Sequence, residues 1–385
     1  MLPVALLIAL PCLLGPPAEL VPRLGLAGAN RAQIESALEQ SEALPPLERS
    51  SVQWLVGHMP LVDLQSVTAA RLVADATAAV AAWQSAPWAA AVPEAIFRDA
   101  ILPFACVDEV REDWRARMRA IALPLVAGKT TLQSAATAIN RELWSVIHVK
   151  YAGNRPKANQ NLSESLETGL ASCTGLSIAL IEACRSVGIP ARFVGCPLWK
   201  DNSGNHSWVE VWDGAAWRFT GAFEPSGEEL DQGWFAERAA TCSRENPLNA
   251  VYAVTWNDAP AQFAQAWTEG MPRTRGYDVT DRYTTRAAAL AEGSARLYVG
   301  VRQQGKRVAM DVIAVGIDGK ELGRGTSRDE RFDLNDHLAF TVPLGKSVIL
   351  HTGGGSTSML CVVMDNPQTV FIDLPAAQVA PQLQP

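Results

Sequence analysis

From about Arg31 to Gly128, apolar residues recur near every 3.6 positions through long Ala/Leu/Val-rich stretches. That spacing predicts a succession of amphipathic helices. Pro45-Pro46, Pro60, Pro93 and Pro103 punctuate it, because proline removes a backbone donor and clashes with the preceding turn. Trp54, Trp83, Trp88 and Trp114 fall in this stretch and are expected to pack helix against helix.

The texture changes after Thr131. Helical periodicity runs through TLQSAATAINRELWSVIHVKY and gives way to a β-prone end; a polar, turn-rich loop follows from Ala152 to Glu167. A helix, two or more strands and further loops come next. From Gly293 the period becomes two, in RLYVGVRQQGKRVAMDVIAVGIDGKELGRG, with turns at Gln304-Gly305-Lys306 and Asp318-Gly319. Alternation interrupted by such turns predicts antiparallel hairpins, and about eighty residues of it suggest a small β-sandwich.

The expected architecture is therefore α+β and multidomain. Residues 1–29 form an apolar N-terminus, 30–130 a helical domain, 131–292 a mixed core, 293–374 the sandwich, and 375–385 a disordered tail. Val4 to Leu14 is an apolar run of signal-peptide length and too short to cross a bilayer. Ala27-Gly28-Ala29 offers a small-x-small cleavage pattern downstream. Export to a secreted, periplasmic or cell-envelope location is the expectation, although no Lys or Arg precedes the apolar run.

Composition changes this picture little. Of 385 residues, 48% are hydrophobic and 19% charged, as a packed globular chain requires. The net charge of -7, with no basic cluster, gives no footing for nucleic acid or an anionic membrane. No span and no cofactor are expected, and the oligomeric state is open. Seven cysteines at 12, 106, 173, 184, 196, 242 and 361 form no C-x-x-C pair, which argues against a zinc finger or a disulfide scaffold. A three-ligand set of Cys173, Cys196 and His206 is a minor metal alternative.

Candidate chemistry concentrates in Ser172 to Gly188, SCTGLSIALIEACRSVG. Ser172 is a good N-cap, Cys173 the first helical residue, and Gly188 a left-handed stop. Leu176, Leu180, Ala183 and Val187 form one apolar stripe facing a core. Cys173 thus stands at a helix N-terminus, where unpaired amides favour a thiolate and could hold an oxyanion. Cys184, mid-helix among apolar neighbours, has no such field. Downstream, GNHSWVEVWDGAAW alternates strictly from His206 to Trp212, so His206, Trp208, Glu210 and Trp212 share one strand face. A helix-start thiol with a strand-start imidazole is the pairing that nucleophilic thiol catalysis needs, with a third group to orient the ring.

Cys173-Thr-Gly-Leu-Ser, the Gly-Ile-Pro-Ala-Arg run ending at Arg192, and His206-Ser-Trp-Val-Glu-Val-Trp212 together resemble the core of the transglutaminase-like superfamily, over roughly Thr131 to Phe235. The resemblance implies a papain-like fold, a protein or peptide substrate, and thiol-dependent amide hydrolysis or acyl transfer through a thioester. It gives Cys173 the nucleophile role and His206 that of general base. The family's Asp on the next strand, four residues past a tryptophan, falls at Gly221, which has no side chain. Glu224, in GAFEP, is the acid expected to orient the imidazole instead. Asn205, Trp208, Trp199 and Glu210 are the expected substrate-binding residues. A catalytically impaired fold that binds protein or glycan is the alternative.

Overall fold

A computed structural model describes residues 17–285, 290–353 and 357–375. The tail expected to be disordered and the apolar run at Val4 to Leu14 lie outside these residues, apart from Pro375 itself. The chain divides into two compact units at Val80/Ala81.

The first unit is helical: α1 (Val21–Leu26), α2 (Arg31–Ser41), α3 (Pro46–His58), α4 (Leu61–Leu64) and α5 (Ala69–Gln84), which runs on past the boundary. Leu24, Ile34, Leu55, Leu64 and Leu72 form its buried interior. Pro46 opens α3 at the first helical position, where a missing N–H costs nothing. The segment carrying Ala27-Gly28-Ala29 is packed, not extended. Ala27 is fully buried, and Arg23 donates from Nε to the Val56 carbonyl at 2.9 Å and from Nη2 to that of Met59 at 2.5 Å.

In the second unit α6 (Glu94–Ala100), α7 (Arg115–Leu125) and α8 (Leu132–Ile147) lead to β1 (Lys150–Tyr151), α9 (Leu162–Thr168), β2 (Leu170–Ala171) and the central helix α10 (Cys173–Ser186). A six-stranded antiparallel sheet follows. It comprises β3 (Ala191–Cys196), β4 (His206–Trp212), β5 (Trp217–Thr220), β6 (Tyr252–Val254), β7 (Ala261–Ala264) and β8 (Arg273–Asp278) in the order β5-β4-β3-β6-β8-β7, with α11 (Ala236–Ala239) inserted after β5 and α12 (Thr280–Thr284) after β8. Helix α10 packs on β3 and β4 and also against α7 and α8. Every residue from Thr174 to Ser186 is therefore buried. Sequence periodicity predicted one apolar stripe; the helix is enclosed on all sides because sheet and helices sandwich it. Gly188 does take the left-handed conformation, at φ +77°, and a Cβ there would meet the Ala82 carbonyl at 2.5 Å.

The C-terminal strands are β9 (Ser294–Gln303), β10 (Lys306–Arg307), β11 (Asp311–Gly316), β12 (Glu321–Thr326), β13 (Leu338–Pro343), β14 (Ser347–Thr352), β15 (Thr357–Val362) and β16 (Gln368–Leu374). One sheet joins β10-β9-β13 with β16 on β9; the other runs β12-β11-β14-β15. Leu297, Val299, Val312, Val348 and Leu350 fill the space between them. The Gln304-Gly305 turn has φ of +52° and +79°, the primed geometry that matches strand twist. One pairing departs from expectation: β16 lies parallel to β9. Between β12 and β13, residues 327–337 leave the sheets and run to the mixed core.

Candidate active site

Helix α10 begins as its sequence predicts. Ser172 Oγ accepts from Gly175 N at 3.1 Å and donates to the Ala158 carbonyl at 2.6 Å, so the cap is itself anchored. Thr174 Oγ1 and Ser207 Oγ share a hydrogen bond of 3.1 Å, tying the first helical turn to β4 one residue beyond His206. Gly175 permits close approach: a Cβ would stand 3.2 Å from that of Ala171. Cys173 is half-buried, whereas Cys184 is fully buried and burial pushes its thiol up to about 12. The first-turn amides of α10 have no intrahelical acceptors and present partial positive charge beside the Cys173 sulfur.

His206 opens β4 and is only 1% exposed. An aromatic wall fixes its ring: centroids of Trp234, Phe235 and Trp208 lie 4.6, 5.0 and 5.9 Å away. The two ring nitrogens face different carboxylates. Nε2 is 3.9 Å from Glu224 Oε2; Nδ1 is 3.6 Å from Asp333 Oδ2. Both are ion-pair separations, slightly too long for hydrogen bonds. Donor atoms of Cys173, His206 and Asp333 all lie within 4.8 Å of one another. These three are also the one set among the described residues close enough to share a metal ion; Cys196 is not among them. Its sulfur instead lies 3.6 Å from that of Cys242.

Charge follows from this crowding. Burial opposes an imidazolium at His206, but the Asp333 carboxylate, the neighbouring Cys173 and Glu224 outweigh it and hold the pKa well above the ordinary 6.5. Asp333 is also buried, yet His206 and donors from Asn335 keep its carboxyl below the usual range. Glu224 goes the other way. Burial pushes it up to about 7, opposed by His206 and reinforced by Asp333. Asp336, behind Asp333, is pushed by burial up to about 6.

Cys173, Glu224 and Asp333 open on a cavity of about 250 Å³, walled also by Tyr151, Leu176, Phe223, Phe332 and Asp336, with His206 buried behind them. A larger hollow of about 780 Å³, bordered by Lys200, Glu237 and Arg296, holds none of them.

Of the residues expected from sequence, Cys173, His206 and Glu224 come together; the four expected substrate contacts do not border this cavity. Trp199 and Trp208 belong to the hydrophobic core with Phe219 and Phe235, and Trp208 Nε1 donates to Tyr283 Oη at 2.8 Å. Asn205 offers its backbone, accepting from Asn335 Nδ2 at 2.6 Å. Glu210 shares the strand face of His206, but that face is covered. Its Oε2 accepts twice from Arg192, and its Oε1 accepts from Arg282 and Tyr283. Strand alternation assigns a face and is silent on what covers it.

Asp333 is the residue that sequence reasoning missed. Its signal was the acid-rich stretch RDERFDLNDH, Arg328 to His337, which breaks the two-residue alternation of the sandwich.

The sequence of residues 119–222 matches the model of the transglutaminase-like superfamily. No curated protein matches the chain significantly. Among solved structures, the chain is similar to a protein from Cytophaga hutchinsonii proposed to be a cysteine protease. Identity is 20% and the TM-score 0.27, over 32% of this chain and 42% of that one. The match thus spans less than half of either chain. Residues 119–222 are a transglutaminase-like core, and both Cys173 and His206 lie within it.

Proposed function

We propose that the protein is a cysteine amide hydrolase or acyl transferase acting on protein or peptide substrates. The observation that carries this reading is the convergence of the Cys173 sulfur, at the capped start of α10, with the His206 imidazole. Passing its proton to the His206 imidazole, the Cys173 sulfur attacks a carboxamide or peptide carbonyl, and the α10 amides stabilise the oxyanion. As the C–N bond breaks, the imidazolium gives its proton to the departing amine, leaving a thioester on Cys173. His206 then takes a proton from water, which attacks the thioester, releases the acid and restores the thiol. An amine attacking in place of water gives transfer. Glu224, facing Nε2, orients the ring. Glu224 Oε2 lies 2.1 Å from where a Cβ at Gly221 would stand, beside the position of the family's Asp, and this supports the enzyme reading over the binding-module alternative. Export through the apolar N-terminus is part of the same proposal.

A general acyl donor tests it. With p-nitrophenyl acetate followed by acid quench, the intact protein gains one acetyl mass on Cys173. Cys173→Ala gains none, and His206→Ala gains it slowly. Equal acetylation of wild type and Cys173→Ala would remove the mechanism.

A further inference from the structure

Asp333 reaches the site from the sandwich, on the loop between β12 and β13, and that loop is built to hold it still. Arg307, on β10, donates to the carbonyls of Asp333 at 2.8 Å, Asp336 at 3.3 Å and Phe332 at 2.5 Å. Leu334 N donates to Tyr151 Oη at 2.8 Å, fixing the loop to β1. Asn335 N and Nδ2 donate to Asp333 Oδ1 at 2.8 and 3.2 Å, while the same Nδ2 reaches the Asn205 carbonyl. Gly204 takes φ +146°, and a Cβ there would sit 2.1 Å from Asn335 Oδ1, so the loop seats directly on the approach to His206. With Oδ1 occupied, Oδ2 remains buried without a hydrogen-bond partner and faces Nδ1.

We infer that Asp333 is a second positioning carboxylate, supplied by the C-terminal sandwich, which holds the His206 ring and its charge so that the active site is complete only with that sandwich docked. The inference rests on His206 acting as the base. An inhibitory plug would occupy the same place but has the opposite consequence for rate. The titratable groups facing His206 are Cys173, Glu224 and Asp333, with Asp336, Tyr151 and Arg238 farther out.

The test is the imidazole titration of His206, followed by NMR in the full chain, for wild type, Asp333→Asn and Asp333→Glu. Losing an opposite charge at this range lowers an imidazole pKa by roughly 1–3 units. Asp333→Asn should therefore move the midpoint acidward by about that much. The alkaline limb of kcat/KM moves with it, kcat falling while KM changes little. Asp333→Glu restores most of the shift. Asn335→Ala, which keeps the carboxylate but frees its tether, moves the midpoint the same way by less and serves if Asp333→Asn fails to fold. An unmoved midpoint overturns the inference, and so does a faster Asp333→Asn enzyme. Turnover surviving in Cys173→Ala would instead defeat the underlying mechanism, leaving the His206 titration readable.

Discussion

Gly221 and Glu224 compete for one volume. A Cβ built on Gly221 would lie 2.1 Å from Glu224 Oε2, and the two residues form an isolated antiparallel bridge. Asn140 Nδ2 steadies the turn by donating to the Gly221 carbonyl at 2.8 Å. The glutamate carboxylate thus fills the space that a side chain at 221 would take, and the missing side chain makes room for it. Gly221→Ala should displace Glu224, costing about 1–3 kcal/mol through overpacking and lowering kcat/KM. Adding Gly221→Asp to Glu224→Ala should recover part of the turnover that Glu224→Ala alone loses. Steady-state kinetics on the three variants checks this.

Stability should depend on pH through Glu224. Its carboxyl is held at about 7 in the folded chain against an ordinary 4.5, so the folded state binds the proton more tightly. Its contribution is fully present below about 4.5 and is lost as pH rises through about 7. His206, also raised, acts in the same direction above its ordinary 6.5. Asp333, held low, acts oppositely and loses its contribution as pH falls below the usual carboxylate range. Urea midpoints measured from acid to neutral pH should decline across the Glu224 window in wild type and decline less in Glu224→Gln.

Glu210 is a structural residue, fully buried between Arg192 and Arg282. Glu210→Ala leaves two guanidinium groups without their carboxylate, and removing one partner of a buried pair costs about 3–5 kcal/mol. Denaturant unfolding should show that loss, while Cys173 alkylation by iodoacetamide in the still-folded fraction should not change.

Ser172→Ala removes a cap and an anchor together. A cost of about 0.5–2 kcal/mol is expected from the cap, with slower Cys173 acetylation, since the helix start then shifts relative to His206. Unfolding and acetylation rates measured on the same preparation separate the two effects.

The parts of this site legible in sequence are the local ones. Ser172 as cap, Cys173 as first helical residue and Gly188 as stop follow from backbone preferences that act within a turn. The His206 strand follows from a period of two. Glu224 could be chosen because the position where the family carries its Asp is Gly221, which has no side chain, and Glu224 is the next acid along the chain. Enclosure of α10 depends on what packs around it, and no periodicity reports that. Asp333 was illegible for the same reason: its loop meets the core through Asn335 and Asn205, 130 positions apart, so only tertiary docking makes it part of the site. The burial of Trp199, Trp208 and Glu210 depends likewise on Phe235, Tyr283 and Arg282, which arrive from later in the chain.

Reactivity of one sulfur tests the central claim most directly. Iodoacetamide labelling at about pH 7, quantified by peptide mass spectrometry, compares Cys173 with Cys184 in wild type and in His206→Ala. Cys173 should label at least about tenfold faster than Cys184, and His206→Ala should remove most of that advantage. A Cys173 that labels no faster than Cys184, or as fast without His206 as with it, would contradict the account.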